Sequence, residues 1–165
     1  IHWLENANDD GYTFDKAETK TGISGEQTRA TASTYKVTGT NLLGKSTSDQ
    51  VFTAKTITQE KIKGDGSTIV NIYYARKTYT LHFKENEDSW DDVFTITKKW
   101  GANISKDDWP TNNGNSNWQI QSGYYNSRYL AYTSTMPMGE GNLWKTSGYN
   151  EVSATYYVEK LNGTG

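Results

Sequence analysis

Ile69-Val70-Asn71-Ile72-Tyr73-Tyr74 is followed, after only Ala75-Arg76-Lys77-Thr78, by Tyr79-Thr80-Leu81-His82-Phe83. Both runs are rich in the β-branched and aromatic residues that suit a pleated, half-buried strand. In the second run Tyr79, Leu81 and Phe83 fall on one face and Thr80 and His82 on the other. The first run has a more buried cast. With no Gly/Ser linker between them, the two predict strands in almost unbroken succession. A boundary at Lys77 or Thr78 then divides the chain into two modules, 1–78 and 79–165.

Phe94-Thr95-Ile96-Thr97 alternates in the same way, and residues 1–5 and 12–15 are spaced to pair as a hairpin across an Asn/Asp-rich link. Asp10-Gly11, Gly64-Asp65-Gly66, Asn113-Gly114 and Ser122-Gly123 punctuate the strands as turns. The two halves close alike, 69–76 with Tyr-Tyr and 154–159 with Thr-Tyr-Tyr-Val. Helix is scarce. Ser24-Gly25-Glu26-Gln27 resembles a capping box, which predicts about two turns over 26–33, weakened by Thr28, Thr31 and Thr34. A second capped turn is expected at Ser105, with Asp107 and Asp108 at its positive end and Pro110 as its stop. The fold class is mainly β with minor α, in two small tandem β-rich modules.

Only 33% of the 165 residues are hydrophobic, while 13% are aromatic. A chain so poor in aliphatics must build its cores around large rings, so the 12 tyrosines and 6 tryptophans serve first as core. A formal net charge of -2 gives no electrostatic footprint for nucleic acid or an anionic membrane. The absence of cysteine removes disulfides, thiolate zinc sites and cysteine nucleophiles together. No apolar run approaches the roughly 20 residues of a membrane-spanning helix. The strand-like opening at Ile1-His2-Trp3-Leu4 and the close on Asn162-Gly163-Thr164-Gly165 read as a segment of something longer.

Catalytic chemistry has little to stand on. His2 and His82 lie in strand patterns, with no Gly-x-Ser-x-Gly elbow near them. Glu85, Glu87, Asp88, Asp91 and Asp92 crowd one turn and read as a solvated loop rather than two carboxylates facing across a cleft. Gly64-Asp65-Gly66-Ser67 lacks the lysine and helix start of a phosphate loop. Asn6-Ala7-Asn8-Asp9-Asp10-Gly11 matches the first half of a calcium loop, but its first position is Asn and its twelfth is Ala17 instead of Glu. A hairpin turn is the better reading. The chain is expected to be no enzyme and to need no metal or cofactor.

Further motifs carry a resemblance. Trp3-Leu4-Glu5-Asn6, Asp10-Gly11-Tyr12-Thr13, Thr21-Gly22, Gly25-Glu26-Gln27-Thr28, Ile57-Thr58-Gln59-Glu60 and the run from Gly64 to Tyr74 are similar to the mucin-binding-protein (MucBP) repeat of Gram-positive surface proteins, a β-grasp-like unit. Against that repeat, 38–50 reads as a polar insertion before Phe52-Thr53-Ala54-Lys55. Tyr79-Thr80-Leu81-His82-Phe83, Trp109-Pro110-Thr111, Ser134-Thr135-Met136-Pro137 and Ala154-Thr155-Tyr156-Tyr157-Val158-Glu159 resemble the internalin B-repeat, or Listeria–Bacteroides repeat. The resemblance implies a wall-anchored or secreted protein of a Firmicute, exposed at the cell surface. It implies a partner such as a host protein (an immunoglobulin among them) or a mucin glycan, or else a stalk that only spaces.

Trp109, Trp118, Tyr124, Tyr125, Tyr129 and Tyr132 fall within about 25 residues crowded with Asn, Ser and Gly. Rigid rings among small polar residues are the composition of a recognition surface, and flat rings can also stack on sugars. The competing reading is that these rings are simply the core of an aliphatic-poor module. The sequence therefore predicts a non-catalytic adhesin module, monomeric as an isolated fragment, with its contact in the second half. Its rival is a structural spacer, marked by tight contact between the modules and no exposed aromatic patch.

Overall fold

The computed structural model describes residues 1–112, 117–121 and 127–145. Ten strands form two five-stranded sheets. The first contains β1 (His2–Glu5), β2 (Tyr12–Lys16), β3 (Tyr35–Thr40), β4 (Ser46–Ala54) and β5 (Ile72–Arg76) in the order β2-β1-β5-β4-β3. The second contains β6 (Thr78–Lys84), β7 (Asp92–Lys99), β8 (Trp118–Gln121), β9 (Arg128–Leu130) and β10 (Gly141–Trp144) in the order β7-β6-β10-β8-β9. Each sheet begins with an antiparallel hairpin and, among the described residues, takes its last strand in parallel beside its first, β5 on β1 and β10 on β6. Lys77 alone separates β5 from β6, so the strand-to-strand passage expected at 77–78 is where one sheet hands over to the other.

Register fixes which side chains face inward. In the first sheet His2 and Leu4 pair with Ile72 and Tyr74, and Tyr35 pairs with Phe52. In the second, Leu81 pairs with Ile96 and Gly141, and Phe83 with Phe94 and Leu143. The step from Tyr35–Phe52 to Lys36–Gln50 leaves Val51 as an extra residue, so neighbouring Val51 and Phe52 are both buried. The irregular stretches 17–34 and 55–71 lie over the inner face of the first sheet, where Ala30, Ile57 and Val70 pack against the core. The buried side chains of both sheets form one continuous cluster, joined by Ile104, Trp109, Met136 and Met138 from the connections of the second half.

One local expectation differs from the structure. Residues 26–33 are not helical: Thr28 donates to the Glu60 carbonyl, Ile62 to the Glu26 carbonyl, and the Gln59 amide holds both the N–H and the C=O of Ala30. With backbone partners available across the ribbon, a threonine-rich segment had no reason to pair with itself. The polar stretch 38–50 takes part in the first sheet. It is the heart of the β3–β4 hairpin, turned by Asn41, whose side chain accepts from Leu43 and Lys45, and by Gly44 at a φ of 74°. In the second half, β10 at 141–144 lies parallel beside β6, and the Tyr-Tyr stretch 154–159 lies outside the described residues. The capped turn at Ser105 is present as a 3₁₀ helix over Lys106–Asp108, with the Ser105 hydroxyl accepting from the Asp107 N–H.

Contacts between the sheets are numerous. The Arg76 guanidinium lies over the rings of Phe52 (4.6 Å) and Trp100 (5.5 Å) and donates through Nε to the Glu5 carbonyl at 2.8 Å. Lys99 reaches back to the Glu5 carboxylate (3.0 Å), Asp10 (3.1 Å) and the Asp9 carbonyl (2.8 Å), and the Asn103 N–H donates to Asn8 at 2.7 Å. On the far side Asp49 accepts from Lys77 (2.6 Å) and from the Tyr79 hydroxyl (2.7 Å).

Candidate functional site

Among the described residues, the rings singled out in the second half do not form a common surface. Trp109 and Trp118 are buried at 4% and 1% exposure, each edge-on to Phe83, and the Trp118 indole donates to the Pro110 carbonyl at 2.9 Å. These two are core residues, which corrects their expected place on a contact surface. The physical reason is the aliphatic shortage already visible in composition: a sheet with few leucines fills its volume with indoles. Tyr132 is half-buried, edge-on to Trp109, and donates its hydroxyl to the Ile104 carbonyl. Tyr129 is exposed and faces away from this core, since its neighbour Leu130 pairs with buried Trp118. Tyr124 and Tyr125 lie outside the described residues.

A continuous aromatic surface lies instead on the outer face of the first sheet. Phe14 on β2 pairs with Trp3 on β1, and Trp3 pairs with Tyr73 on β5. One register row therefore carries three rings across three strands. Trp3 meets Phe14 edge-on at 5.8 Å and lies nearly parallel to Tyr73 at 6.4 Å. Tyr12 closes the group, edge-on to Tyr73 at 4.9 Å. Phe14 is 53% exposed and Tyr73 41%, so the row is packed sideways yet open to solvent above. Polar groups border it. The Trp3 indole donates to Asn71 at 2.9 Å, and Lys55, whose N–H donates to the Tyr73 carbonyl, extends its ammonium to the Tyr12 hydroxyl at 2.5 Å. The bond to Tyr12 raises the Lys55 pKa, so the ammonium stays charged beside the rings.

Aromatic residues in strand alternation are expected in the core, yet this row lies outside it. The available signal was the alternation itself: His2, Leu4, Ile72 and Tyr74 occupy the inward positions, which leaves Trp3 and Tyr73 outward.

The remaining candidates have local employment. In the half-calcium loop, Asp9 accepts from the Asn6 amide and the Gly11 N–H, Asn8 is spent on Asn103, and Asp10 on Lys99. The depression there, about 520 Å³ and lined by Asn8, Asp9, Asp10, Lys98, Lys99 and Asn103 among others, is open and polar. His2 is buried, and its Nδ1 meets the Tyr74 hydroxyl at 2.8 Å; burial, and then the nearby Lys16, lower its pKa and favour the neutral ring. His82 stands on the outer face of the second sheet between Asp92 (2.6 Å) and Glu140 (3.5 Å). Among the described residues no helix is long and apolar enough to cross a membrane. No family model, no curated protein and no solved structure matches this chain.

Proposed function

We propose that this chain is a non-catalytic recognition module of a bacterial cell-surface protein, and that it meets a host macromolecule through the outer face of its first sheet. The observation that carries the reading is the open row Phe14–Trp3–Tyr73 with Tyr12 beside it. Rings pre-packed against one another present area with little side-chain entropy left to lose on binding, the property that makes aromatics effective anchors. A bordering cation and amide supply orientation without a cavity, which suits a broad partner surface or a glycan chain rather than a small molecule.

The test is a pull-down from serum and from mucin, followed by Phe14→Ala, Trp3→Ala and Tyr73→Ala against whatever is captured. Loss of an anchor should cost at least about 2 kcal/mol, roughly thirtyfold in affinity. Undiminished binding by all three variants would remove this face from the function. A second reading, a spacer, is favoured by a separate observation, the dense contacts of Arg76, Lys99 and Asp49 between the sheets. It expects no ligand from either source.

A further inference from the structure

We propose that each sheet is a shear-loaded clamp, so that the chain carries tension along its length. This does not rest on the binding reading, because it follows from strand order alone. In the first sheet the chain enters on β1 and leaves on β5, and these two strands are parallel, adjacent and paired His2–Ile72, Trp3–Tyr73 and Leu4–Tyr74. In the second it enters on β6 and reaches β10, again parallel and adjacent, paired from Gly141–Leu81 to Trp144–Lys84. A pull toward the two chain ends moves such a pair past each other along the strand axis. All the ladder bonds then bear the load together. In an antiparallel hairpin pulled at its open end they fail one at a time. The rate of forced unfolding is set by the barrier along the pulled coordinate, which the simultaneous loss of several hydrogen bonds raises.

Groups outside the ladder brace the same two pairs. The first is tied by the Ile1 ammonium to the Val70 carbonyl (2.8 Å), the Ile72 N–H to the Ile1 carbonyl (2.8 Å), His2 to the Tyr74 hydroxyl and Trp3 to Asn71. The second is tied by Glu140 to the Thr80 N–H (2.7 Å), the Lys145 N–H to the Lys84 carbonyl (3.0 Å) and Lys145 to Glu85 (2.5 Å). In the first clamp these braces gather at the entry end, while Arg76 holds the far end by donating its N–H to the Glu5 carboxylate and its Nε to the Glu5 carbonyl; in the second they stand at both ends. Between the clamps only Lys77 intervenes, and its N–H donates to the Val51 carbonyl while its own carbonyl accepts from Trp100.

The experiment is single-molecule pulling of the full chain between introduced cysteines, which are unambiguous handles because the chain has none of its own. One set places handles on an N-terminal extension and at exposed Thr78→Cys, loading β1 against β5 in shear. A second places them at Thr78→Cys and on a C-terminal extension, directing tension through the second half. A third uses exposed Thr34→Cys with Thr53→Cys, or Lys36→Cys with Gln50→Cys, which opens the β3–β4 hairpin from its ends. Thermal melts of each variant confirm the unperturbed fold. We expect the first two sets to yield at several times the force of the third. Equal or lower force in the shear geometries overturns the proposal.

Discussion

The two sheets share a plan and differ in what they turn toward water. Both place a later strand parallel to the first, β5 on β1 and β10 on β6, and both bury rings on the inner face. On the outer face, however, the first sheet carries Phe14, Trp3, Tyr73 and Tyr12 as a packed group, whereas the second carries Thr80 bonded to Thr97, His82 and Asn142, with Tyr129 on the edge strand β9. One plan thus supports two surfaces, because positions that alternate outward contribute little to the core and are free to vary. What holds the fold and what meets a partner are written on alternate residues of the same strands.

The largest expected effect separates inner from outer rings. Trp118→Ala, which empties a 1%-exposed site against Phe83, should cost about 3–5 kcal/mol in denaturant unfolding. Tyr73→Ala on the open row should cost no more than about 1 kcal/mol. Similar losses would mean that the aromatic row is structural and that the comparison fails.

Next comes the contact between sheets. Glu5→Ala leaves the Arg76 N–H without its carboxylate and Lys99 without its most enclosed partner, and should cost about 1.5–3 kcal/mol. Burial works against ionisation of Glu5, but the Arg76 N–H and Lys99 outweigh it and hold its pKa below the usual value. A single melting transition that splits in two in this variant would show that the clasp couples the sheets.

Gly141→Ala tests the same seam sterically. A Cβ there would stand 2.8 Å from Leu42 of the first half and 2.8 Å from Leu81 of the second, so overpacking of about 1–3 kcal/mol is expected. Leu42→Ala should relieve part of that loss, read as a non-additive double-mutant cycle.

The smallest effect concerns pH. Lys77, then the Tyr79 hydroxyl, hold the Asp49 carboxyl down at about 2. A lowered folded-state value stabilises the native state above the ordinary carboxyl range, and that contribution fades as pH falls from about 4 toward 2. Melts of Asp49→Asn should therefore lose less stability over that window than the parent, with little difference in their slopes near neutrality.

Much of the architecture was legible. The alternation at Tyr79–Phe83 and Phe94–Thr97 gave β6 and β7, the Asn/Asp link gave the β1–β2 hairpin, and the missing linker at 77–78 marked the change of sheet. The β3–β4 hairpin escaped because its strands are mostly Ser, Thr, Lys, Asp and Gln, whose pairing depends on register rather than hydropathy. The expected helix at 26–33 failed because a capping signature cannot report a ribbon partner more than thirty residues away. Trp109 and Trp118 show the limit for sites: density of rings along the chain does not reveal which side of a sheet each occupies. That requires the partner strand, as Trp3 shows when Phe14 and Tyr73 line up beside it.

Lys77 has a geometric consequence of its own. A flexible linker lets successive units wander, so the span of a string grows as the square root of its length. Here the hinge is one residue, bonded through both its N–H and its carbonyl and flanked by an arginine laid between two aromatic rings. Units joined in this way add their lengths, so reach grows in direct proportion to their number.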